Sequence, residues 1–330
     1  MTLQKKLITL TLVWTMLVII LGAYTRLTDA GLGCPDWPGC YGFLKVPHKP
    51  EKMQIAAERF PERPLEHAKA WNEMIHRYLA GTLGLLIAAL AVLHWRRQQS
   101  GRTLPSALLL IVIFQATLGA WTVTMGLLPI VVLAHLMFGF ALFSLLALYW
   151  LQHRPAWRSQ DYRLRPLLPL ALLSLLVVTL QIALGGWTAA NYAALACIDL
   201  PFCEAGWSNR LAFAEAFDLH LGHDDYEYGV MSQDARATIH VLHRLGAVVT
   251  TLVVASLAWR LYRQAQEQLM RRLALALGAV LALQLTLGLL NIVLHLPLLN
   301  AVAHNFVGAN LLMLSVVICY QIAYPKPQEA

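Results

Sequence analysis

Eight stretches of roughly 20 apolar residues decide what this chain can fold into, because a helix of that length crosses the hydrocarbon of a bilayer. They cover residues 7–27, 74–95, 104–127, 130–151, 167–189, 239–261, 273–292 and 301–324. A lone segment in lipid must satisfy its own backbone groups, which a helix does and an open strand does not. None of the eight alternates as a barrel strand would. Composition agrees: 58% of the 330 residues are hydrophobic and 13% are charged, where a soluble domain carries about a quarter charged. The expectation is an all-α polytopic membrane protein with eight transmembrane helices.

Charge sets the orientation. Lys5, Lys6, Arg96, Arg97, Arg102, Arg154, Arg158, Arg163, Arg165, Arg260, Arg263, Arg271, Arg272 and Lys326 fall on one side of such a topology, with Asp161, Glu267 and Glu329. That side carries a net +11 and the other −4, which together give the +7 of the whole chain. The positive-inside rule then puts both termini in the cytoplasm. Topology accounts for the basic balance, so no nucleic-acid partner is read from it. Lys5-Lys6 before an apolar run has the look of a secretory leader. The run is long, however, lacks a small-x-small cleavage site and continues into residues that the repeat below requires, so it is read as a helix. Without an Arg- and Ser-rich amphipathic leader, a bacterial inner (cytoplasmic) membrane is favoured over an organelle.

The chain also repeats itself. Cys34 and Cys40 recur as Cys197 and Cys203, and Gly22 as Gly185, all at an offset of 163. Past the first outer loop the offset grows: His76 to His243 is 167, while Gln115 to Gln284 and His135 to His304 are 169. Leu128-Pro129 returns as Leu296-Pro297 at 168. Units with an even helix count share one orientation, so this is a parallel repeat. It predicts two tandem pseudo-symmetric four-helix bundles, residues 1–160 with an outer loop at 28–72, and residues 161–330 with an outer loop at 190–237.

Each outer loop holds one pair of cysteines with five residues between them, on the oxidising side. Two disulfides, Cys34–Cys40 and Cys197–Cys203, are the natural reading. Zinc is the rival, although its usual cysteine pairs are closer, with two to four residues between them. Cys319 lies inside the last run and reads as a small core residue.

Histidine inside a membrane run is costly and by default functional. His76, His135, His243 and His304 each fall near the outer start of an even-numbered run, two per repeat. A histidine from each of two neighbouring helices, across an apolar slot, supplies the two axial imidazoles of a haem iron. One slot per repeat gives two haem sites near the outer face. His48, His67, His94, His153, His220, His223 and His295 lie at helix ends, turns or loops and are read as ordinary.

Arg77 and Arg244 directly follow His76 and His243. Each either snorkels to the headgroups or pairs with a haem propionate through its guanidinium fork. Gln-x-x-x-Gly occurs three times, as Gln115/Gly119, Gln181/Gly185 and Gln284/Gly288. It serves either helix packing or the clearing of room for a flat ligand. The repeats part at one informative place: Glu73, three residues before His76, is replaced by His240. A carboxylate beside one site only suggests that this site does chemistry, as a base or by steadying positive charge. The structural alternative is a glutamate favoured by a helix N-terminus.

Taken together, Gly31-Leu32-Gly33-Cys34-Pro35-Asp36-Trp37-Pro38, Glu73-x-x-His76-Arg77, His243-Arg244, His135 and His304 resemble the heme A synthase family, over nearly the whole chain. The resemblance implies oxidation of the C8 methyl of heme O to the formyl of heme A, through hydroxylated intermediates, for terminal oxidase biogenesis. It implies heme b as cofactor in the C-terminal half, on His243 and His304 with Arg244, and heme O as substrate in the N-terminal half, on His76 and His135 with Arg77. Glu73 is implied as catalytic, and Cys34 and Cys40 as a disulfide or redox pair. Implied partners are heme O synthase, terminal oxidase assembly factors and an electron donor of unspecified identity, in a chain compatible with a homo-oligomer. The rival is a two-haem cytochrome b-type electron-transfer protein, which has no use for a glutamate at one site alone. A transporter would need broken helices and midplane charges, which the runs lack.

Overall fold

Each apolar run becomes a helix in the computed structural model, which describes residues 3–97, 101–201 and 203–326. Glu329, counted above among the inner-side charges, lies outside the described residues. In chain order the helices are α1 (Leu3–Leu27), α2 (Pro50–Arg59), α3 (His67–Arg96), α4 (Thr103–Thr124), α5 (Pro129–Gln152), α6 (Leu168–Ala190), α7 (Phe213–Ala216), α8 (Gln233–Gln264), α9 (Gln268–Val293) and α10 (Leu298–Ala323). Among the described residues, eight helices, all but α2 and α7, are long and apolar enough to cross a membrane. The chain is a multi-pass, all-α membrane protein.

Two helices overrun their apolar runs at the N-terminal end. α3 starts at His67 rather than at 74, and α8 at Gln233 rather than at 239. Residues such as Asn72 and Glu73 suit a helix but not lipid, so hydropathy marks the bilayer and misses the polar turns beyond it. Ser232 stops α8 from extending further: its side chain accepts a hydrogen bond from the Ala235 N–H at 3.2 Å, a standard N-cap. His76 and His243 therefore sit about 13–15 Å along their helices by the rise per residue, much of it through these polar turns. His135 and His304 sit about 9 Å along theirs.

Packing follows the repeat. α1 lies against α3, α3 against α4, α4 against α5 and α5 against α1. The same pairings recur among α6, α8, α9 and α10. α3 and α5 thus occupy opposite corners of one set, and α8 and α10 opposite corners of the other. α5 and α10 also pack on each other, with α1 reaching α10 and α5 reaching α6. Phe140 and Phe143 of α5 accordingly join a core that includes Leu257, Leu261, Leu311 and Ile318.

Backbone geometry corrects one register. Gly126 and Leu127 have positive φ before α5, as His295 and Leu296 do before α10. Leu127 N–H donates to the Thr122 carbonyl at 2.8 Å, and Leu296 N–H to that of Asn291 at 2.7 Å. The turns match at an offset of 169, so Leu128-Pro129 and Leu296-Pro297 are one residue out of step. Proline is the first residue of α5 but the N-cap of α10.

The long second outer loop crosses to the first repeat. Tyr226 N–H donates to the Gly126 carbonyl at 2.8 Å, and its buried ring packs with Leu118, Leu128 and Val131. Gly126 is required there, because a Cβ would come within 2.3 Å of the Asp224 carbonyl oxygen. Arg63 of the first outer loop pairs with Asp225 at 2.6 Å and Glu227 at 3.1 Å. This loop caps the α4–α5 turn, about two helical turns before His135.

Candidate functional site

The four histidines lie on the diagonal helices, not on neighbouring ones as expected. His76 on α3 and His135 on α5 are close enough to act on each other electrostatically, as are His243 on α8 and His304 on α10. All four rings are half-buried. Glycines face them: a Cβ on Gly22 would come within 2.9 Å of the His76 ring, and one on Gly185 within 2.9 Å of the His243 ring. Gly119 and Gly288 face His135 and His304 in the same way, at 3.4 and 3.1 Å. The glycines of the Gln-x-x-x-Gly pattern therefore make room for imidazoles, a use that neither sequence reading named.

The glutamines of that pattern reach the same histidines. Gln115 Nε2 donates to the His135 backbone oxygen at 3.0 Å. Gln181 Nε2 donates to the His243 backbone oxygen at 2.8 Å and lies 3.0 Å from its Nδ1. Gln284 Nε2 lies 3.2 Å from His304 Nε2. The Nδ1 atoms of His76, His135 and His304 are buried with no hydrogen-bond partner. Buried polar atoms are nearly always satisfied, and three of these four rings carry a buried nitrogen with no protein partner, which suits histidines that would hold a bound group. They are the residues here that could hold a haem; no cluster of three or more His, Cys, Asp or Glu that could bind a bare metal ion occurs among the described residues.

Glu73 is buried beside the first pair, with 4% of its surface exposed, and both its oxygens are engaged. Oε2 accepts from the Cys34 N–H at 2.7 Å, and Oε1 accepts from Arg77 Nη2 in a short ion pair. Since Glu73 lies six residues into α3, the field of the helix N-terminus, which fades within one turn, does not account for it. Its structural alternative is instead a tether between α3 and the outer loop. His240 stands at the matching place in α8, buried, with Nδ1 unpartnered.

The arginines do something that neither expectation covered. Arg77 Nη1 donates to the carbonyls of Asp36, Pro38 and Gly39. Arg244 donates to those of Asp199, Pro201 and Cys197. Asp36 and Pro38 match Asp199 and Pro201 at the offset of 163, so both arginines hold the same bend of a cysteine loop. Each loop is closed by a disulfide, Cys34–Cys40 and Cys197–Cys203. The first pair is fully buried, whereas Cys203 is partly exposed. In the first loop Asp36 caps the turn by accepting from the Tyr41 and Gly42 N–H groups at 2.6 and 2.8 Å. Burial pushes the Tyr41 phenol above its ordinary pKa. Sequence reasoning missed Arg63, Tyr226 and the loop carbonyls, because backbone acceptors and cross-repeat contacts leave no residue pattern.

Residues 5–316 match the COX15-CtaA family, described as cytochrome oxidase assembly protein. The chain is 50% identical over 313 residues to the heme A synthase of Shewanella oneidensis, covering 94% of each chain. It is 28% identical over 210 residues to the heme A synthase of Bacillus licheniformis, covering 60% of this chain and 63% of that one. To the heme A synthase of Rickettsia bellii it is 25% identical over 335 residues, covering 92% and 94%. The electron-transfer cytochrome weighed above has no support among these relatives.

Proposed function

The chain belongs to the COX15-CtaA family of cytochrome oxidase assembly proteins, and from that premise we propose that it is a heme A synthase, a haem-dependent membrane oxidoreductase that converts heme O to heme A. The reaction takes the C8 methyl of heme O to a formyl group through hydroxylated intermediates. The two helix sets act as two pseudo-symmetric four-helix bundles, residues 1–160 receiving the substrate and residues 161–330 keeping the cofactor. Both termini face the cytoplasm of a bacterial inner membrane, and the haem sites lie toward its outer face.

The observation that carries the reading is the pairing of imidazoles across diagonal helices, His76 with His135 and His243 with His304, three of them with a buried, unpartnered Nδ1. His243 and His304 would hold heme b, whose bis-imidazole iron supplies one-electron redox chemistry when bound. His76 and His135 bind the substrate heme O. Glu73 supplies a carboxylate beside His76, at the position where the second repeat has His240. Its charge steadies positive charge developing at the reacting carbon or accepts a proton from it. The hydrogen bonds from Cys34 and Arg77 hold that carboxylate in place before substrate arrives. Arg77 and Arg244 contribute by fixing the loops over the two sites. Heme O synthase, terminal oxidase assembly factors and an electron donor are the partners this activity calls for.

Extraction and chromatography of the haems that co-purify with the protein test the reading. Heme b together with heme O, heme A or a hydroxylated intermediate is the expected result. Heme b alone would make the protein an electron-transfer cytochrome.

A further inference from the structure

Glycines in the spanning helices mostly have a close neighbour. A Cβ on Gly139 would come within 2.8 Å of Gln115, on Gly186 within 2.7 Å of Leu133, and on Gly246 within 2.3 Å of Gln181. Gly81 and Gly84 of α3 differ. A Cβ on Gly81 would meet nothing within 4 Å, and one on Gly84 would meet only Val112 Cγ2 of α4, at 4.0 Å. Glycine weakens a helix relative to alanine, so two that bring no neighbour close leave space for another reason. Across from them, Val112, Ala116 and Ala120 form one stripe of α4 at the i, i+4 spacing. At the repeat offsets the second repeat fills this seam. Val248 and Thr251 stand where Gly81 and Gly84 do, and Leu281, Leu285 and Leu289 where Val112, Ala116 and Ala120 do. Gly278 of α9 is also open. It matches Leu109, about 15 Å along α4 from the glycine that faces His135, so a leucine closes the far end of the first seam.

The seam starts at the candidate substrate site. Gly81 and Gly84 lie about 7.5 and 12 Å along α3 beyond His76. On α4, Gln115 and Gly119, which reach His135, directly precede Ala116 and Ala120. The other sides of the first repeat are occupied. Between α4 and α5, Phe114 packs edge-on to Phe138 with ring centroids 4.9 Å apart. Between α1 and α3, the Trp14 indole donates to the Leu79 carbonyl at 3.0 Å. The α1–α5 side lies against α10 and α6 of the other repeat. Gly81 and Ala116 are exposed, so the α3–α4 seam opens onto lipid. Heme O differs from heme b by a long isoprenoid chain in place of one vinyl group, and that apolar chain needs a slot beside the ring. We propose that the α3–α4 seam holds the isoprenoid chain of heme O, and that the filled α8–α9 seam keeps such a chain out of the heme b site. Gly81, Gly84, Ala116 and Ala120 are then specificity-determining residues. This inference rests on the heme O reading proposed above.

Spectral titration of the purified full-length protein, with heme b retained in the second repeat, tests it by comparing heme O with added heme b at the first repeat. The wild type should bind heme O more tightly by at least about tenfold, the gain from burying roughly two methylene groups. Ala116→Leu with Ala120→Leu, which copies the second repeat, should remove that preference and leave heme b binding at the first repeat as it was. Leu285→Ala with Leu289→Ala should do the reverse. In a His76→Ala background, made in cells that supply heme O, the haem extracted with that variant should include heme O beside heme b. Equal affinity of the wild type for the two haems overturns the proposal. So does an unchanged preference in the Ala116→Leu, Ala120→Leu protein, or a loss of both haems alike. If that protein does not fold, the second pair carries the test, and heme b alone there overturns the proposal. A wild-type first repeat that binds neither haem would instead overturn the substrate-site reading, and this inference with it.

Discussion

Beside His76 the first repeat places Glu73 and Arg77; beside His243 the second places His240 and Arg244. The facing glycines and the arginine-held cysteine loops match, while the residue three before the histidine does not. The contrast continues at the inner ends. In the first repeat Gln4 Nε2 lies 3.2 Å from His153 Nε2, Arg97 donates to Gln4 Oε1 at 3.1 Å, and His94 Nδ1 lies 3.1 Å from the Tyr149 hydroxyl. The positions matching Gln4, His94, Tyr149 and His153 are Leu167, Leu261, Ile318 and Ile322, all in one apolar core. The packing order of the helices recurs in both repeats, while side chains at the inner ends and beside the histidines differ.

The strongest way to break this comparison is to remove a ligand. His243→Ala or His304→Ala should abolish the low-spin bis-imidazole spectrum of heme b while the protein remains membrane-inserted. Unchanged haem content in both variants would mean that the second pair is not a ligand pair.

A smaller but still large effect is expected where one repeat covers the other. Tyr226 is buried at 2% exposure against the α4–α5 turn, and truncating a buried aromatic typically costs roughly 3–5 kcal/mol. Tyr226→Ala should make the 218–231 segment readily cleaved by protease added from the outside, with the C-terminal heme b spectrum intact. Arg63→Ala should do the same more weakly, by about 1 kcal/mol or less, because its pairs with Asp225 and Glu227 are partly exposed. Equal protection in both variants would contradict the cap.

The two disulfides sharpen the comparison. Cys34 and Cys40 are fully buried and Cys203 is not, and exchange requires access to sulfur. Mild reduction should therefore open Cys197–Cys203 first, as read by a membrane-impermeant thiol reagent added outside. Labelling of Cys34 and Cys40 before the second pair would reverse that order, and labelling only from the cytoplasmic side would reverse the topology.

Much of this was legible in the residues because lipid is a severe solvent. It admits runs of about 20 apolar residues as helices and little else, and it tolerates histidines within them only where they serve a purpose. Eight helices could therefore be named from the sequence. The outer extensions of α3 and α8 were not legible, since polar helical turns such as the one holding Asn72 and Glu73 look like loop to a hydropathy scan. Arg77 and Arg244 were visible as residues but not as loop anchors, because their acceptors are main-chain carbonyls that every sequence has. The Leu-Pro pairs misled by one residue because proline suits both an N-cap and a first helical position. The cover over the first repeat depends on the Tyr226 N–H and the Gly126 carbonyl, a contact between atoms that carry no sequence signature.

The division of labour between the repeats stands or falls on Glu73. Glu73→Gln keeps the side chain's shape and an oxygen for the Cys34 N–H, and removes the charge that pairs with Arg77. The measurement is the haem composition of cells and of purified protein carrying this variant, by extraction and chromatography. Heme b should be retained in full, while heme A falls by at least about tenfold, the low end for a positioned acid–base or electrostatic group, and heme O or a partly oxidised haem accumulates. Full heme A output from Glu73→Gln would leave the glutamate a tether for the outer loop and would contradict catalysis in the first repeat.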